Sequence, residues 1–224
     1  MYRKGARSFA AMTNLPLAMR NTLEKSFTID RARLLARWDS NDGVTTKFLL
    51  GFSDNVAIEA VLMRQSYGNS VCISTQAGCA MGCAFCASTH HGVVRDLTGG
   101  EMADEVLFIE EILRRTGEKV DTVVLMGSDE PLLNYDNVIR FLRLLHEKYC
   151  LNFGYRNITL STSGIVPQIE RLARENIPLT LSISLHAPND EIRSRLMPVN
   201  RRYPVRQVTE AGRAYAMTTK RRIT

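Results

Sequence analysis

Apolar and polar positions change their spacing along the chain at about residue 70. Before this point, short runs of β-forming residues are separated by turn-forming residues. The runs are residues 34–38, 45–52 and 56–63, and the turns are residues 40–43 and 53–55. Residues 1–25 show helical spacing interrupted at Pro16. The pattern predicts short helices followed by a small antiparallel meander.

Beyond residue 70, strand and helix patterns alternate. The predicted strands are residues 71–74, 122–126, 157–161 and 178–185, and the predicted helices are residues 100–115, 135–148, 166–175 and 205–217. Repeated βα units predict an α/β fold with a parallel sheet covered by helices. About four units fit, and residues 222–224 look like the start of a fifth strand. We therefore predict a small α+β region, residues 1–69, followed by an incomplete barrel, residues 70–224.

The segments after the predicted strands hold the least ordinary residues of the chain. These segments are residues 75–92, 127–131, 161–164 and 184–188. In parallel βα folds, functional groups gather in the loops at the carboxyl ends of the strands. The pattern therefore predicts one functional site at one end of the sheet.

Three of the five cysteines lie within eight residues. Cys79, Cys83 and Cys86 have the spacing C-x3-C-x2-C, which favours reduced metal ligands over a disulfide framework. Three thiolates can bind three irons of a [4Fe–4S] cluster and leave the fourth iron open. The alternatives are three buried cysteines or a zinc site completed by His90 or His91. Zinc ribbons use two C-x2-C pairs, and a second pair is absent here, so the cluster is favoured.

Composition and charge indicate the class of partner and the cellular compartment. The 224 residues are 45% hydrophobic and carry a net charge of +6, which suits RNA, although an ordinary basic surface explains the charge equally well. No apolar run approaches the roughly 20 residues of a membrane helix, and no secretory signal follows the first residues. We expect a cytoplasmic protein without membrane association.

Several motifs together carry a family resemblance. They are the cysteine segment with Phe85 before its last cysteine, and residues 58–63, 67–72, 95–101, 130–134, 161–164 and 184–190. Over essentially the whole chain, the sequence closely resembles the RlmN/Cfr family of radical-SAM RNA methyltransferases. The resemblance implies part of a radical-SAM (βα)6-type barrel, one [4Fe–4S] cluster and S-adenosylmethionine (SAM).

The resemblance also implies an activity and its partners. Enzymes of the RlmN type methylate C2 of an adenosine in the peptidyl-transferase centre of 23S rRNA, and of the adenosine 3′ of the anticodon in tRNA. One SAM methylates an enzyme cysteine, and a second is cleaved to a radical that activates this methyl group. A second cysteine then releases the RNA adduct by forming a disulfide bond. A flavodoxin-like electron donor and a monomeric state are further expectations.

Individual positions match the functional residues of the family. Cys79, Cys83 and Cys86 match the cluster ligands, Cys72 matches the releasing cysteine, and Glu59 matches the proposed proton acceptor. The matches to the SAM site are Asp129, Glu130, Ser161, Ser184, Leu185 and His186. From the residues alone, a small buried side chain is the favoured interpretation of Cys72, and Glu59 also fits a solvent-facing strand position. A lone histidine is more often a core residue, but the place of His186 at a strand end favours the site.

Two departures from the family pattern stand out. The usual Gly-Met-Gly-Glu-Pro run is Gly-Ser-Asp-Glu-Pro at residues 127–131, so Asp129 replaces a glycine and is expected to weaken SAM binding. The methyl-carrying cysteine belongs to the C-terminal part of the family's chains and has no match here. Cys150 precedes the third strand of the barrel, so we expect it to be structural. We therefore expect the chain to be inactive by itself.

Two alternatives to the C2 activity follow. The first is a Cfr-like methyltransferase acting on adenine C8, against which Pro131 favours the RlmN type. The second is a catalytically incomplete module that binds an iron–sulfur cluster or RNA.

Overall fold

The computed structural model describes residues 5–29 and 31–224. The strands are β1 (Arg33–Asp39), β2 (Thr45–Gly51), β3 (Ala57–Gln65), β4 (Gly68–Ile73), β5 (Gln76–Gly78), β6 (Val93–Asp96), β7 (Thr122–Leu125), β8 (Ile158–Thr162) and β9 (Thr180–Ile183). The helices are α1 (Leu17–Ser26), α2 (Gly99–Arg114), α3 (Tyr135–His146), α4 (Val166–Arg174), α5 (Asp190–Leu196) and α6 (Val205–Thr219). Residues 1–4 of the predicted N-terminal helices lie outside the described residues.

One sheet of seven strands forms the centre of the molecule, in the order β1-β2-β3-β4-β7-β8-β9. Strands β1 to β4 pair antiparallel, and β4, β7, β8 and β9 pair parallel. The predicted α/β fold with a meander and a parallel part is confirmed. The meander continues directly into the parallel part, and the expected boundary between residues 69 and 70 falls within β4.

The two faces of the sheet differ in composition. One face is covered by the helices and is largely buried and apolar, with Phe48, Leu62, Val71, Val123 and Ile158 at most 1% exposed. The other face is half-buried and largely polar. Its middle row runs across six paired strands through Lys47, Val61, Cys72, Val124, Thr159 and Thr180. Alternation of buried and half-buried residues, clearest in β2 and β3, therefore separates a packing face from an open face.

Helix α2 has a capped first turn and is hydrogen-bonded to the chain at the end of β4. Its first turn is a capping box, in which Thr98 and Glu101 satisfy each other's backbone N–H groups. Further along the helix, the buried Glu105 carboxylate accepts a hydrogen bond of 3.0 Å from the backbone N–H of Ser74. This contact positions the chain where it leaves β4 toward the cysteine segment.

Three features near the ends of the predicted elements differ from the sequence pattern. A small hairpin, β5 and β6, encloses the cysteine segment, which was expected to be a loop. Helix α5 was not predicted. The expected fifth strand appears as a parallel bridge between Leu181 and Ile223. Within the described residues, no helix has the length and apolarity needed to cross a membrane.

Candidate cofactor-binding site

A cavity of about 260 Å³ lies at the carboxyl ends of β7, β8 and β9. Its lining includes Cys79, Met81, Cys83, Phe85, Cys86, Met126, Asp129, Glu130, Ser161, Ser163, Ser184, His186 and Met197. The cavity is therefore where the sequence predicted a functional site. Most of the residues expected to bind a cofactor meet here, although Leu185 is absent from the lining.

The three clustered cysteines all face this cavity. The backbone N–H of Cys79 donates to Ser88 O at 3.1 Å, and that of Cys86 donates to Cys83 O at 3.1 Å. Gly82 adopts a φ of +67° and donates its N–H to Thr89 Oγ1 at 3.0 Å. A left-handed glycine and these local hydrogen bonds allow the short segment to turn all three cysteines toward one space.

The redox state, protonation and arrangement of these thiols bear on whether they can hold an iron–sulfur cluster. All five cysteines in the chain are free. Burial raises the pKa of Cys79 to about 11 and also raises the pKa of Cys83, so both are protonated at neutral pH. Among the described residues, no group of three potential ligands stands in a metal-holding arrangement. Ligation would deprotonate the thiols and draw the segment together. Three thiols that line one cavity are a donor set that fits an iron–sulfur centre.

Glu130 forms one wall of the cavity and links two strand ends. The residue is 2% exposed, and its carboxylate accepts hydrogen bonds from the backbone N–H groups of Ser163 at 2.6 Å and Leu132 at 3.2 Å. Burial raises its pKa. A cationic group entering the cavity would favour the ionised form of this carboxyl.

Asp129 lies beside Glu130, but one of its oxygens faces the protein backbone. Its Oδ2 accepts hydrogen bonds from the N–H groups of Thr75 and Gln76, the latter at 3.1 Å. Its Oδ1 is buried and has no hydrogen-bond partner. Burial raises the pKa of Asp129 to about 7. The carboxylate therefore connects the β7 end to the segment before β5.

The ends of β8 and β9 supply the other polar groups. Ser161 Oγ lies 3.5 Å from Ser184 Oγ, so the two hydroxyls are neighbours across the strands. His186 has a left-handed backbone with a φ of +56°, and its ring meets the Phe85 ring edge-on at a centroid distance of 4.9 Å. Leu185 contributes its carbonyl oxygen to a structural hydrogen bond with Arg193 Nε at 3.0 Å.

Glu59 and Cys72 lie outside the cavity lining but on the open face of the sheet. The side chain of Glu59 is 43% exposed and forms an ion pair with Lys47 at 2.9 Å. Cys72 pairs with Val124 one strand away, and burial raises its pKa to about 12. The nearby Glu105 and Asp129 carboxylates raise it further. The structure thus places Glu59 and Cys72 on the same face without bringing them into the cavity.

Two further buried residues, Cys150 and Arg193, were not assigned to the site by sequence. Cys150 is 2% exposed, lies between α3 and β8 in the chain, and is absent from the cavity lining. Arg193 is wholly buried behind the ends of β8 and β9, and the sequence pattern gave it no role. The signal that could have located its helix is the cap Asn189 followed by Asp190 and Glu191.

Comparisons with known proteins agree with this geometry. Residues 73–219 match the model of the Radical SAM superfamily. A probable dual-specificity RNA methyltransferase RlmN from Desulforamulus reducens is 51% identical over all of this chain and 63% of its own length. The protein with the same name from Clostridium acetobutylicum is 49% identical over 98% of this chain and 63% of its own length.

A solved structure is also similar. The crystal structure of a radical SAM methyltransferase from Sphaerobacter thermophilus superposes with a TM-score of 0.94 at 43% identity, covering 99% of this chain and 65% of that one. The chain thus spans about two thirds or less of the proteins it matches. The family model covers most of the chain and includes the cysteine segment and the strand ends that line the cavity. The chain therefore belongs to the radical SAM superfamily, and within it is similar to the RlmN proteins.

Proposed function

We propose that this chain carries the cofactor-binding core of a radical-SAM methyltransferase that acts on C2 of adenosine in 23S rRNA and tRNA. The observation that carries the proposal is the shared cavity, onto which Cys79, Cys83 and Cys86 open together with Glu130 and three serines at the ends of β8 and β9, Ser161, Ser163 and Ser184. The names of the relatives support RNA as the substrate class. The net charge of +6 is consistent with a polyanionic substrate.

The cavity residues divide into two binding roles. Cys79, Cys83 and Cys86 would hold a [4Fe–4S] cluster, which when bound supplies the electron for reductive cleavage of SAM. Glu130 would accept hydrogen bonds from the SAM amino group. The remaining contacts to SAM would come from Asp129, Ser161, Ser184, Leu185 and His186, with Leu185 acting through its backbone.

Cys72 and Glu59 would act on the RNA adduct. Glu59 would accept the proton that leaves C2 of the base. The sulfur of Cys72 would form a disulfide bond with the methyl-carrying cysteine, breaking its bond to the methyl carbon, which keeps the electron pair and is then protonated. Because burial holds Cys72 protonated, its thiol has to lose a proton before this step. The methyl-carrying cysteine has no match in these 224 residues, so we expect this chain alone not to methylate RNA.

The partners and setting follow from the same proposal. An external electron donor of the flavodoxin type would reduce the cluster. The protein would work in the cytoplasm, because reduced thiols and an RNA substrate suit a reducing compartment. We also propose that it acts as a monomer.

Anaerobic reconstitution with iron and sulfide tests the cofactor part. We expect about four irons per chain and brown absorbance. Replacing Cys79, Cys83 or Cys86 by alanine should abolish cluster loading, whereas Cys150→Ala, a buried cysteine away from the cavity, should retain it. One colourless zinc per chain would contradict the proposal.

Analysis of methylated nucleosides tests the substrate part. The chain would be joined to the C-terminal segment of one of its relatives and incubated with RNA, SAM and a reductant. We expect 2-methyladenosine. If 8-methyladenosine were the sole product, the activity would be of the Cfr type instead.

A further inference from the structure

Arg193 is the largest fully buried side chain among the described residues. Every N–H group of its guanidinium has an acceptor. Nε donates to Leu185 O at 3.0 Å, Nη1 to Asn200 Oδ1 at 2.9 Å and Tyr203 O at 3.3 Å, and Nη2 to Ser163 O at 2.5 Å and Ser184 O at 3.3 Å. The guanidinium is therefore saturated and offers no free donor to a ligand.

The acceptors of Arg193 belong to two different strand ends. Ser163 follows β8, and Ser184 and Leu185 follow β9. Both Ser163 and Ser184 line the cavity. A single rigid side chain thus holds together the two backbone segments that carry most of the polar cavity groups.

No carboxylate accepts a hydrogen bond from Arg193 within the described part of the chain. The nearby Asp190 is reached through Asn200, whose Nδ2 donates to Asp190 Oδ1 at 3.0 Å. Burial lowers the pKa of Arg193. Burying a cation without a directly bonded anion is costly, and directed hydrogen bonds to carbonyl oxygens are what offset the cost here.

The segment that carries Arg193 also contacts the cysteine segment. The backbone N–H of Ala84 donates to Leu196 O at 2.8 Å, at the end of α5. A Cβ added to Gly82 would lie 3.5 Å from the Pro198 ring. Met197, between these two contacts, lines the cavity. Helix α5 and its C-terminal turn therefore touch the cysteine segment while Arg193 holds the strand ends.

We propose that Arg193 is a positioning residue for the SAM site, fixing the ends of β8 and β9 in register with the cysteine segment. The inference rests on the proposed function for the identity of the ligand. The geometry of the Arg193 side chain carries the positioning role, because the planar guanidinium directs its five donors to four carbonyl oxygens and one amide oxygen. A lysine at this position would keep the charge but could not reach these acceptors simultaneously.

The test compares Arg193→Lys with Arg195→Lys. Arg195 is on the same helix, is exposed, and forms an ion pair with Glu191 at 2.6 Å, so it is a matched control. In the iron-loaded chain, we expect Arg193→Lys to weaken SAM binding by about tenfold or more, as loss of a supporting contact does around ligand sites. Arg195→Lys should bind SAM as the unaltered chain does. Binding is measured well below the unfolding temperature of each variant.

Amide hydrogen exchange in the metal-free chain provides a readout that needs neither cluster nor SAM. In Arg193→Lys, peptides covering residues 161–165 and 184–187 should exchange at least about fivefold faster, while the central strands keep their protection. Unchanged exchange in these peptides, or unchanged SAM affinity, would overturn the role of Arg193.

Two other outcomes remain decisive. If Arg193→Lys fails to fold or to load iron, Asn200→Ala takes its place, because it removes one acceptor of Arg193. It should weaken SAM binding and speed hydrogen exchange in the same peptides, both to a smaller extent. No change in Asn200→Ala would refute the inference. If the unaltered chain loads no cluster, the proposed function fails, whereas hydrogen exchange still decides whether Arg193 holds the strand ends.

Discussion

The ammonium group of Lys47 lies 2.9 Å from the Glu59 carboxylate and joins β2 to β3 on the open face of the sheet. Lys47 also stands 4.9 Å from the centre of the Trp38 ring. The carboxylate proposed to accept a proton is therefore paired with a cation in the protein without RNA. A phosphate group that attracts Lys47 would free the Glu59 carboxylate for the role proposed above.

A double-mutant cycle on this pair is the first prediction. Both side chains are more than two fifths exposed, so water screens the interaction. We expect Lys47→Met and Glu59→Gln to couple by about 0.2–1 kcal/mol in urea unfolding. The coupling should shrink in high salt, as should that of the exposed Arg195 and Glu191 pair, the control. A coupling of several kcal/mol would mean that the pair is a structural element of the sheet.

The reactivity of Cys72 provides a second prediction. Burial and two nearby carboxylates raise its pKa to about 12, so the thiolate that reacts with iodoacetamide is scarce at pH 8. We expect Cys72 in the folded chain to be alkylated at least about tenfold more slowly than in the denatured chain. Peptide mass spectrometry measures both rates. Equal rates in the two states at pH 8 would contradict the raised pKa.

The pH dependence of stability should reveal Asp129. Its pKa is about 7 in the folded chain against an ordinary value of 3.8, so between these values the folded state binds more protons than the unfolded state. Its contribution to stability is therefore present at about pH 4 and is lost as the pH rises through about 7.

Asp129→Asn should remove this dependence. The amide oxygen can still accept from Thr75 and Gln76, and no charge has to be buried at high pH. Between pH 5 and 8, we expect the free energy of unfolding to fall less in the variant than in the unaltered chain, by on the order of 2 kcal/mol. Urea unfolding at the two pH values measures the difference, and parallel curves would rule out a titrating Asp129.

Gly127 offers a prediction about close backbone packing. A Cβ at this position would lie 2.7 Å from the carbonyl oxygen of Ile73, where β4 and β7 end beside the cavity. Gly127→Ala should therefore destabilise the chain by about 1–3 kcal/mol. Gly100→Ala, in the first turn of α2 with only Thr98 Oγ1 at 3.8 Å, should be neutral or stabilising. Thermal unfolding of both variants decides the point.

Alternating patterns made most of the sheet predictable. Strands β2 and β3 alternate buried and half-buried residues along their length, and the sequence pattern located both to within a few residues. Helix α3 was equally clear, because Val138, Phe141, Leu142 and Leu145 share one buried face. In such elements the side chains that pack are also those that the sequence shows to be apolar.

The elements around the cavity could not be found in this way. Helix α5 has seven residues, exposes Ile192 and buries Arg193, the reverse of an amphipathic pattern. Strand β5 has three residues, and its last, Gly78, has a φ of +88°. Their positions depend on hydrogen bonds to distant backbone groups, which no local spacing encodes. The family motifs located the cavity residues, but the residue that holds the strand ends lay outside every prediction.

The division of the sheet into a packing face and an open face also limits how the chain can misfold. A shift of one residue in the pairing of β2 or β4 would place Lys47 or Cys72 under the helices and turn Phe48 or Val71 outward. Each such error loses apolar burial and encloses a polar group, so misaligned strands are less stable than correctly aligned ones. The contrast between the two faces thus also favours the correct register while the sheet assembles.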